Sequence, residues 1–220
     1  MALGEMEKLG NAVPPSDEDL IGALRTGNTD SLGVLVSRWE RPLFRFVYRL
    51  LPRREEAQDI CQETFLRILK KADRFRDGGK FSTWMYQIAL NLCRDEVRHR
   101  RRWGKLVVEN PSPAIVESAG TTRNPDGDLG RREEREAVGL ALRQIPAEQR
   151  EVLVLKEFQG LRFREIAEIL GCPESTVKSR MYYGLRGLRS ALLRAGFSDD
   201  RSGSQISRSG TGRSRSPEME

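Results

Sequence analysis

The sequence predicts an all-α protein of two small helical domains joined by a flexible linker, the second domain being a helix-turn-helix. Apolar residues recur every three or four positions over 17–102 and again over 131–196, which is the period of amphipathic helices. No stretch alternates apolar and polar residues with period two, so no sheet is expected. Charged residues make up 32% of the 220-residue chain, a balance that suits small helical modules better than one large globule.

Composition marks the segments outside those helical zones. Residues 1–16 are irregular and end close to two prolines, and residues 103–130 carry three prolines and four glycines with few large apolar residues. Such a composition is typical of a linker. Serine, glycine and arginine dominate residues 197–220, so a disordered tail is expected there.

The composition also excludes several classes of protein. No run approaches the roughly 18 apolar residues that span a bilayer, and the charged N-terminus is unlike a secretory signal, so no membrane insertion is expected. The three cysteines, Cys61, Cys93 and Cys172, form no CxxC motif, which disfavours disulfides or a zinc site and suits a reducing cytoplasm. Because His99 is the single histidine, we expect no metal, no cofactor and no histidine-based catalysis.

The first zone predicts three main helices. One follows an apolar face over 32–50, and Pro42 should kink or break it. The next covers 54–71. A turn at residues 77–79, Asp-Gly-Gly, separates it from a helix that begins near Ser82, whose hydroxyl is a good N-cap.

The second zone carries a more specific pattern. Helices are expected over 132–144 and 147–158, then a short helix over 163–170 that ends at Gly171 in the left-handed conformation. Pro173 starts a last helix through residue 193, and the two helices joined by Gly-Cys-Pro have the spacing of a helix-turn-helix. The buried stripe of the last helix is predicted to be Val177, Met181, Leu185 and Leu188.

The last helix presents a polar, basic face opposite that stripe. Residues 174–194 contain five basic residues and one acid, so the segment can neutralise phosphates. Hydroxyls and cations in its first half suit base edges in the major groove. The alternative is an ordinary amphipathic helix with a solvated face, but the preceding turn favours binding of duplex DNA. The predicted contacts are Ser175, Thr176, Lys178, Ser179, Arg180, Tyr182 and Arg186.

A second basic cluster lies at 94–105, where six basic residues accompany two acids. Aromatic residues just upstream suit single-stranded DNA, because an unstacked base gains about 1–3 kcal/mol on a ring. The alternative for Trp84 is a core position, since it shares helical spacing with Ile88. The loop 75–82 is the better candidate for contact with bases.

Three sequence blocks resemble the bacterial sigma-70 family, and their spacing resembles its compact extracytoplasmic-function subfamily. They are DICQETFLRILK (59–70), FSTWMYQIALNLCRDEVRHRR (81–101) and FREIAEILGCPESTVKSRMYYGLRGL (163–188). The resemblance covers about 17–102 and 131–196. It implies a non-enzymatic subunit that directs core RNA polymerase to promoter DNA and helps to melt it, with the first domain on the −10 element and the second on the −35 element.

The resemblance also implies particular contacts. The helix matching residues 55–71 would dock on the clamp coiled coil of the largest polymerase subunit, and the second domain would meet the flap of the second-largest subunit. Asp59, Gln62 and Glu63, which composition alone indicates only as solvated surface, thereby become expected polymerase contacts. Because the chain shows no sensor domain, control by an anti-sigma factor is expected. The expected −10 and melting contacts are Phe75, Lys80, Phe81, Trp84, Asn91, Arg94, Arg98, Arg100 and Arg101.

Two departures from the family pattern modify these expectations. Met85 stands where housekeeping relatives carry a second aromatic residue, which implies weaker strand opening. Arg162 replaces a Ser or Thr cap, so the helix over 163–170 is expected to fray at its start. Two other hypotheses are a stand-alone helix-turn-helix regulator, which would bind duplex DNA without polymerase, and a nucleic-acid enzyme, which the absence of a phosphate-binding glycine loop disfavours.

Overall fold

The computed structural model of the chain describes residues 14–102 and 125–197, with side chains from residue 134 onward in the second segment. All regular structure in these two segments is helical, which confirms the predicted all-α class. None of the helices in the described segments is long and apolar enough to cross a membrane. The predictions for residues 1–13, for the linker at 103–124 and for the tail at 198–220 fall outside the described residues.

The N-terminal domain is a bundle in which α2 packs against α1 and α3, and α4 packs against α2 and α3. The helix α2 continues through Pro42, so of the two predicted outcomes the break is wrong and the kink stays a prediction. Fully buried residues on both sides of the proline, Leu35 and Phe46 among them, hold the two ends of α2 in one core despite the lost hydrogen bond. The elements are α1 (Asp17–Arg25), α2 (Asp30–Leu50), α3 (Arg54–Lys70), a 3₁₀ turn (Ala72–Arg74) and α4 (Phe81–Arg102).

The start of α4 differs from the prediction by one residue. The helix begins at Phe81, so Ser82 lies inside its first turn instead of capping it. The backbone N–H of Phe81 donates a 2.9 Å hydrogen bond to Oε1 of Glu18, which comes from α1. A carboxylate from another helix therefore accepts a hydrogen bond from the start of α4, where a local capping side chain was expected. The predicted turn before α4 is confirmed, with Gly78 at φ +76°.

The C-terminal domain begins earlier than predicted. The helix α5 starts at Pro125, so the predicted linker is helical over 125–130, because proline is well tolerated in a helical first turn. Residues 163–170 are helical as predicted, and Gly171 has the expected left-handed conformation at φ +64°. The elements are α5 (Pro125–Gln144), α6 (Ala147–Leu153), a π-helical segment (Val154–Phe158), α7 (Phe163–Leu170) and α8 (Glu174–Arg194).

Glycines set how α8 packs on the rest of its domain. A Cβ atom on Gly184 would lie 3.1 Å from Cδ1 of Leu153, and one on Gly187 would lie 2.8 Å from Cγ2 of Ile145. Gly184 is therefore buried where α6 approaches closely, whereas Leu185 is 46% exposed, so its predicted place in the buried stripe is wrong. Large apolar residues alone did not define the buried face of this helix.

The two domains touch each other. The helix α4 packs against α7, and α2 packs against the π-helical segment. The buried residues of both domains form one continuous cluster, in which Tyr86 and Leu155 are almost fully enclosed. The side chains at this domain interface include several that the sequence assigned to DNA.

Candidate nucleic-acid interface

The helix α8 offers an exposed polar face beside a well-formed turn. Ser175, Lys178, Ser179 and Arg186 are exposed, and the ring of Tyr182 is 58% exposed. The guanidinium carbon of Arg186 lies 5.7 Å from the centroid of that ring, within cation–π range. The structure therefore brings five of the seven predicted duplex contacts together on one accessible surface.

The other two predicted contacts are half-buried, and one is engaged inside the domain. Thr176 lies at the edge of the exposed face. Nη2 of Arg180 lies 3.6 Å from a carboxylate oxygen of Glu148, and its Nη1 lies 3.9 Å from the sulfur of Cys172. Arg180 therefore ties α8 to α6 and to the turn. Tyr183, 55% exposed beside Tyr182, belongs to the same surface and was missed by the sequence analysis.

The first helix of the helix-turn-helix is capped, contrary to the predicted fraying. The backbone N–H of Arg162 donates a 2.7 Å hydrogen bond to Oε2 of Glu165, three residues later. A glutamate at this position performs one half of a capping box, so the start of α7 does not need a Ser or Thr.

The basic cluster of the N-terminal domain is engaged differently, because two of its cations meet acids of the C-terminal domain. Nε and Nη2 of Arg94 donate hydrogen bonds of 3.0 and 2.6 Å to the two carboxylate oxygens of Glu151. Nζ of Lys80 lies 2.5 Å from Oε1 of Glu165. The hydrogen bond to Glu151 raises the pKa of Arg94, and the hydrogen bond from Lys80 lowers the pKa of Glu165. Each of these cations is therefore held by a carboxylate of the other domain.

Two further arginines of the cluster are paired within their own domain. Nη2 of Arg98 lies 2.5 Å from Oδ1 of Asp95, at an exposed position. Nε of Arg100 lies 3.1 Å from a carboxylate oxygen of Glu96, and its guanidinium also contacts Glu56. The Arg100 side chain is only 16% exposed, and burial lowers its pKa. Arg100 is therefore anchored against α3, whereas the neighbouring Arg101 and, further up α4, Asn91 are exposed.

The aromatic residues near this cluster face the core. Phe81 is fully buried, with its ring centroid 6.1 Å from that of Trp39, and Phe75 is 7% exposed. Both rings complete the core of the N-terminal domain and neither is accessible to a base in this arrangement, so their contact with bases stays a prediction. Trp84 is half-buried and lies 5.4 Å from the ring of Phe75, so its alternative placement against the core is confirmed.

The exposed face of α3 combines polar and apolar residues. Asp59 and Gln62 are exposed as predicted, whereas Glu63 is half-buried and forms a 2.8 Å ion pair with Arg67. Leu66 is 47% and Leu69 39% exposed, and the sequence analysis assigned neither to a functional face. Spacings of three, four and three residues from Asp59 through Gln62 and Leu66 to Leu69 place all four on one side of the helix, a pattern that was legible in the sequence.

Comparison with known proteins identifies the family. Sigma-70 region 2 matches residues 35–103 and Sigma-70 region 4 matches residues 135–188. The ECF RNA polymerase sigma-E factor of Salmonella typhimurium is 30% identical over 171 residues, which cover 76% of this chain and 89% of the relative. The RNA polymerase sigma-H factor of Pseudomonas aeruginosa is 28% identical over 180 residues, covering 80% of this chain and 93% of the relative.

A solved structure supports the same fold. The sigma factor RpoE of Bartonella quintana, determined with the anti-sigma factor NepR, has a TM-score of 0.60 to this chain at 24% identity. The similarity covers 73% of this chain and 96% of the solved chain. Taken with the two matching regions and the curated relatives, it places the chain in the sigma-70 family, as an alternative sigma factor of the extracytoplasmic-function type that recognises promoter elements and is not an enzyme.

Proposed function

We propose that this protein brings core RNA polymerase to a specific set of promoters by dividing the work among three helices. In this proposal α8 reads the −35 duplex, α4 holds the opened −10 strand, and α3 docks on the polymerase. The observation that carries the proposal is the exposed basic face of α8 beside a capped helix-turn-helix turn, on the same chain as an exposed α3 face.

The duplex contacts of α8 divide by chemistry. Ser175, Ser179 and Tyr182 offer hydroxyls toward base edges, whereas Lys178 and Arg186 offer cations toward phosphates. Lys178 also pairs with Glu174 at 2.7 Å, but this pair is solvent-exposed on both sides and competes weakly with a phosphate.

The strand contacts of α4 need revision from the sequence-based set. Asn91 and Arg101 are exposed and are the first candidates, together with the edge of Trp84 that remains outside the core. Arg94 and Lys80 carry the right charge but are occupied by acids of the C-terminal domain. Arg100 is anchored against α3, so its first role is to stabilise the folded domain.

The exposed α3 face suits a protein partner. Two polar residues, Asp59 and Gln62, followed by two exposed leucines give a mixed surface of the kind that forms the core and rim of an interface. We assign this face to the clamp coiled coil of the largest polymerase subunit and the C-terminal domain to the flap of the second-largest. An anti-sigma factor is a further expected partner, because the Bartonella relative was solved with one. These partners place the protein's action in the cytoplasm.

Run-off transcription with core polymerase on a pool of genomic promoter fragments tests the proposal. We expect transcripts from a few specific promoters, and Asp59→Ala/Leu66→Ala to lower the affinity for core polymerase by about tenfold or more, since exposed anchors in an interface contribute about 1–2 kcal/mol each. Glu40→Ala, an exposed acid on α2, is the matched control and should behave as the wild type. Tight duplex binding with no transcription and no polymerase binding would instead indicate a stand-alone regulator.

A further inference from the structure

We infer that the exposed face of α2 is a third DNA-binding surface, which holds single-stranded DNA by its phosphates without selecting a sequence. The inference rests on the proposed opening of the −10 strand and adds a surface that the sequence analysis did not assign. We call it the α2 face and define it by Arg41, Phe44, Arg45 and Tyr48 of α2 together with Arg54 at the start of α3.

The α2 face lies in a strongly basic stretch of the chain. Residues 38–54 contain six arginines and one acid, Glu40, which is an excess of five positive charges. The clusters at 94–105 and 174–194 each have an excess of four. Such a density of cations attracts a polyanion unless acids of the folded chain neutralise it, so the partners of these arginines decide what the stretch can bind.

Three of the six arginines are engaged within the fold. Nη1 of Arg38 donates a 2.9 Å hydrogen bond to Oδ1 of Asp17. Nη1 of Arg53 lies 3.4 Å from a carboxylate oxygen of Glu56. The guanidinium of Arg49 is packed on an aromatic ring of the C-terminal domain. These three arginines therefore serve the structure of the protein, and the α2 face does not include them.

The other three arginines, Arg41, Arg45 and Arg54, are exposed. Neither Arg41 nor Arg45 forms an ion pair with any residue that the structure describes. Burial and then the charge of Arg45 lower the pKa of Arg49 to about 10. The positive charge of Arg45 therefore acts on its neighbour without an acid to cancel it, and a phosphate on the α2 face would neutralise that charge.

The α2 face alternates cations with aromatic rings. Its four members on α2 are three, one and three residues apart, which places them on one side of the helix. The half-buried rings of Phe44 and Tyr48 are stacked, with centroids 5.8 Å apart and planes 16° from parallel. The guanidinium carbon of Arg54 lies 6.0 Å from the centroid of the Phe44 ring. Proteins that bind single strands combine cations along the backbone with rings beside the bases in this way.

The composition of the α2 face favours DNA over a protein partner. Its exposed members are arginines and its rings are half-buried, so it lacks the exposed apolar anchors that Leu66 and Leu69 give to α3. Interfaces with DNA are more polar and more positively charged than those between proteins. The rings between the cations favour a single strand over a duplex, because the bases of a duplex are already stacked on each other.

The α2 face belongs to the same domain as the helix that holds the opened strand in the proposed function. The helix α2 packs against α4, and the ring of Phe46 lies 4.9 Å from that of Tyr86. In our proposal α4 gives the opened strand its specific contacts. The α2 face then adds affinity that is independent of sequence and weakens as the salt concentration rises.

Removal of the two unpaired cations from the full-length chain tests the inference. The probe is a fluorescein-labelled oligothymidylate of about 12 nucleotides, titrated by anisotropy at several salt concentrations. We expect Arg41→Ala/Arg45→Ala to lower its affinity by about fivefold or more at about 0.1 M salt. The slope of log affinity against log salt should become shallower by about 1.4, because each phosphate contact with a single strand contributes about 0.7. Arg41→Lys/Arg45→Lys keeps both charges and should keep the wild-type slope.

The matched control removes the same charge elsewhere. Arg135→Ala/Arg194→Ala truncates two exposed arginines of the C-terminal domain. It should lower the oligothymidylate affinity by less than about twofold, because salt screens charges that do not touch the strand. Equal losses for the two double variants would overturn the inference. If circular dichroism shows that the alanine pair on α2 has lost helix, Arg41→Gln/Arg45→Gln replaces it with the same expected change of slope.

Two further probes identify what the α2 face binds. A DNA duplex of the same length and a polyglutamate peptide are titrated in the same way. A loss that is largest for oligothymidylate supports a single strand, whereas an equal or larger loss for the duplex or the peptide overturns that assignment.

Transcription distinguishes this inference from the proposed function. Wild-type protein that is inactive in run-off transcription refutes the proposed function, even where oligothymidylate binding depends on Arg41 and Arg45. Active wild-type protein with equal losses for the two double variants refutes only the role of the α2 face.

Discussion

Two basic regions of this protein have similar composition, but their cations differ in how accessible they are to a ligand. Residues 94–105 and 174–194 each hold an excess of four positive charges in sequence. In the folded chain, Arg94, Arg98 and Arg100 of the first region are all paired with acids. On α8, the exposed cation Arg186 instead lies over a tyrosine ring.

The difference shows that charge counted along a chain does not measure a binding surface. Acids placed on α3, α6 and α7, far away in sequence, engage Arg100, Arg94 and Lys80 in and beside α4. On α8, Lys178 and Arg186 are exposed on the side opposite Gly184, which packs against α6, whereas Arg180 is tied to Glu148. On α4, an anchored cation, Arg100, lies next to an accessible one, Arg101.

Arg100→Ala should cause the largest change in stability. Its side chain is 16% exposed and meets Glu56 and Glu96, so truncation removes a half-buried guanidinium that two partly buried carboxylates share. We expect the free energy of unfolding to fall by about 2–3 kcal/mol, measured by urea denaturation. Arg101→Ala, one residue further and exposed, should change it by less than about 0.5 kcal/mol. The reverse order would show that Arg100 is not an anchor.

Gly187→Ala tests the packing that orients α8. A Cβ atom there would lie 2.8 Å from the branched side chain of Ile145, so we expect a loss of about 1–2 kcal/mol in thermal or urea unfolding. Gly139→Ala is the control, because its Cβ would meet nothing within 4 Å in α5. That change should stabilise the protein by about 0.5–1 kcal/mol. Stabilisation by both changes would contradict the close approach.

Arg186→Ala should weaken duplex binding without affecting the fold. We expect a three- to tenfold loss of affinity for a −35 duplex and a shallower salt dependence, by about one unit of slope, if the guanidinium contacts a phosphate. Arg194→Ala, at the far end of the same helix, is the control and should bind nearly as the wild type. Anisotropy titrations at several salt concentrations measure both quantities, and equal losses would remove Arg186 from the interface.

Glu174→Gln should give the smallest effect of these substitutions. It breaks the exposed pair with Lys178, so duplex affinity should rise by no more than about twofold and stability should change by less than about 0.5 kcal/mol. The same substitution at Glu151 acts on a buried pair between domains. A large gain in duplex affinity from Glu174→Gln would show that α8 is also restrained in the free protein.

Local signals in the sequence predicted the helices and the turn of the helix-turn-helix. The left-handed glycine at position 171 and the apolar period of α3 depend on neighbours within a few residues. The errors arose where distant residues decide the outcome. Glu18 caps α4 in place of Ser82, and α6 comes close enough to bury Gly184 in place of Leu185.

The functional residues show the same difference between features that depend on nearby residues and features that depend on distant ones. The exposed face of α8 was predictable, because a helical wheel needs only one helix. The occupation of Arg94 and Lys80 was not, because Glu151 and Glu165 lie 57 and 85 residues away from them. Phe81 illustrates a further ambiguity. An aromatic residue beside a basic cluster is equally compatible with a position in the core and with a surface on which bases stack.

Zero-length crosslinking with a carbodiimide tests the central claim most directly. The reagent joins an amine to a carboxylate in contact, so the free protein should yield peptides linked through Lys80 and Glu165, 2.5 Å apart, and through Lys178 and Glu174, 2.7 Å apart. Mass spectrometry identifies the linked peptides, and both links are expected. A protein that shows only the second link would contradict the pairing of Lys80 with an acid of the other domain.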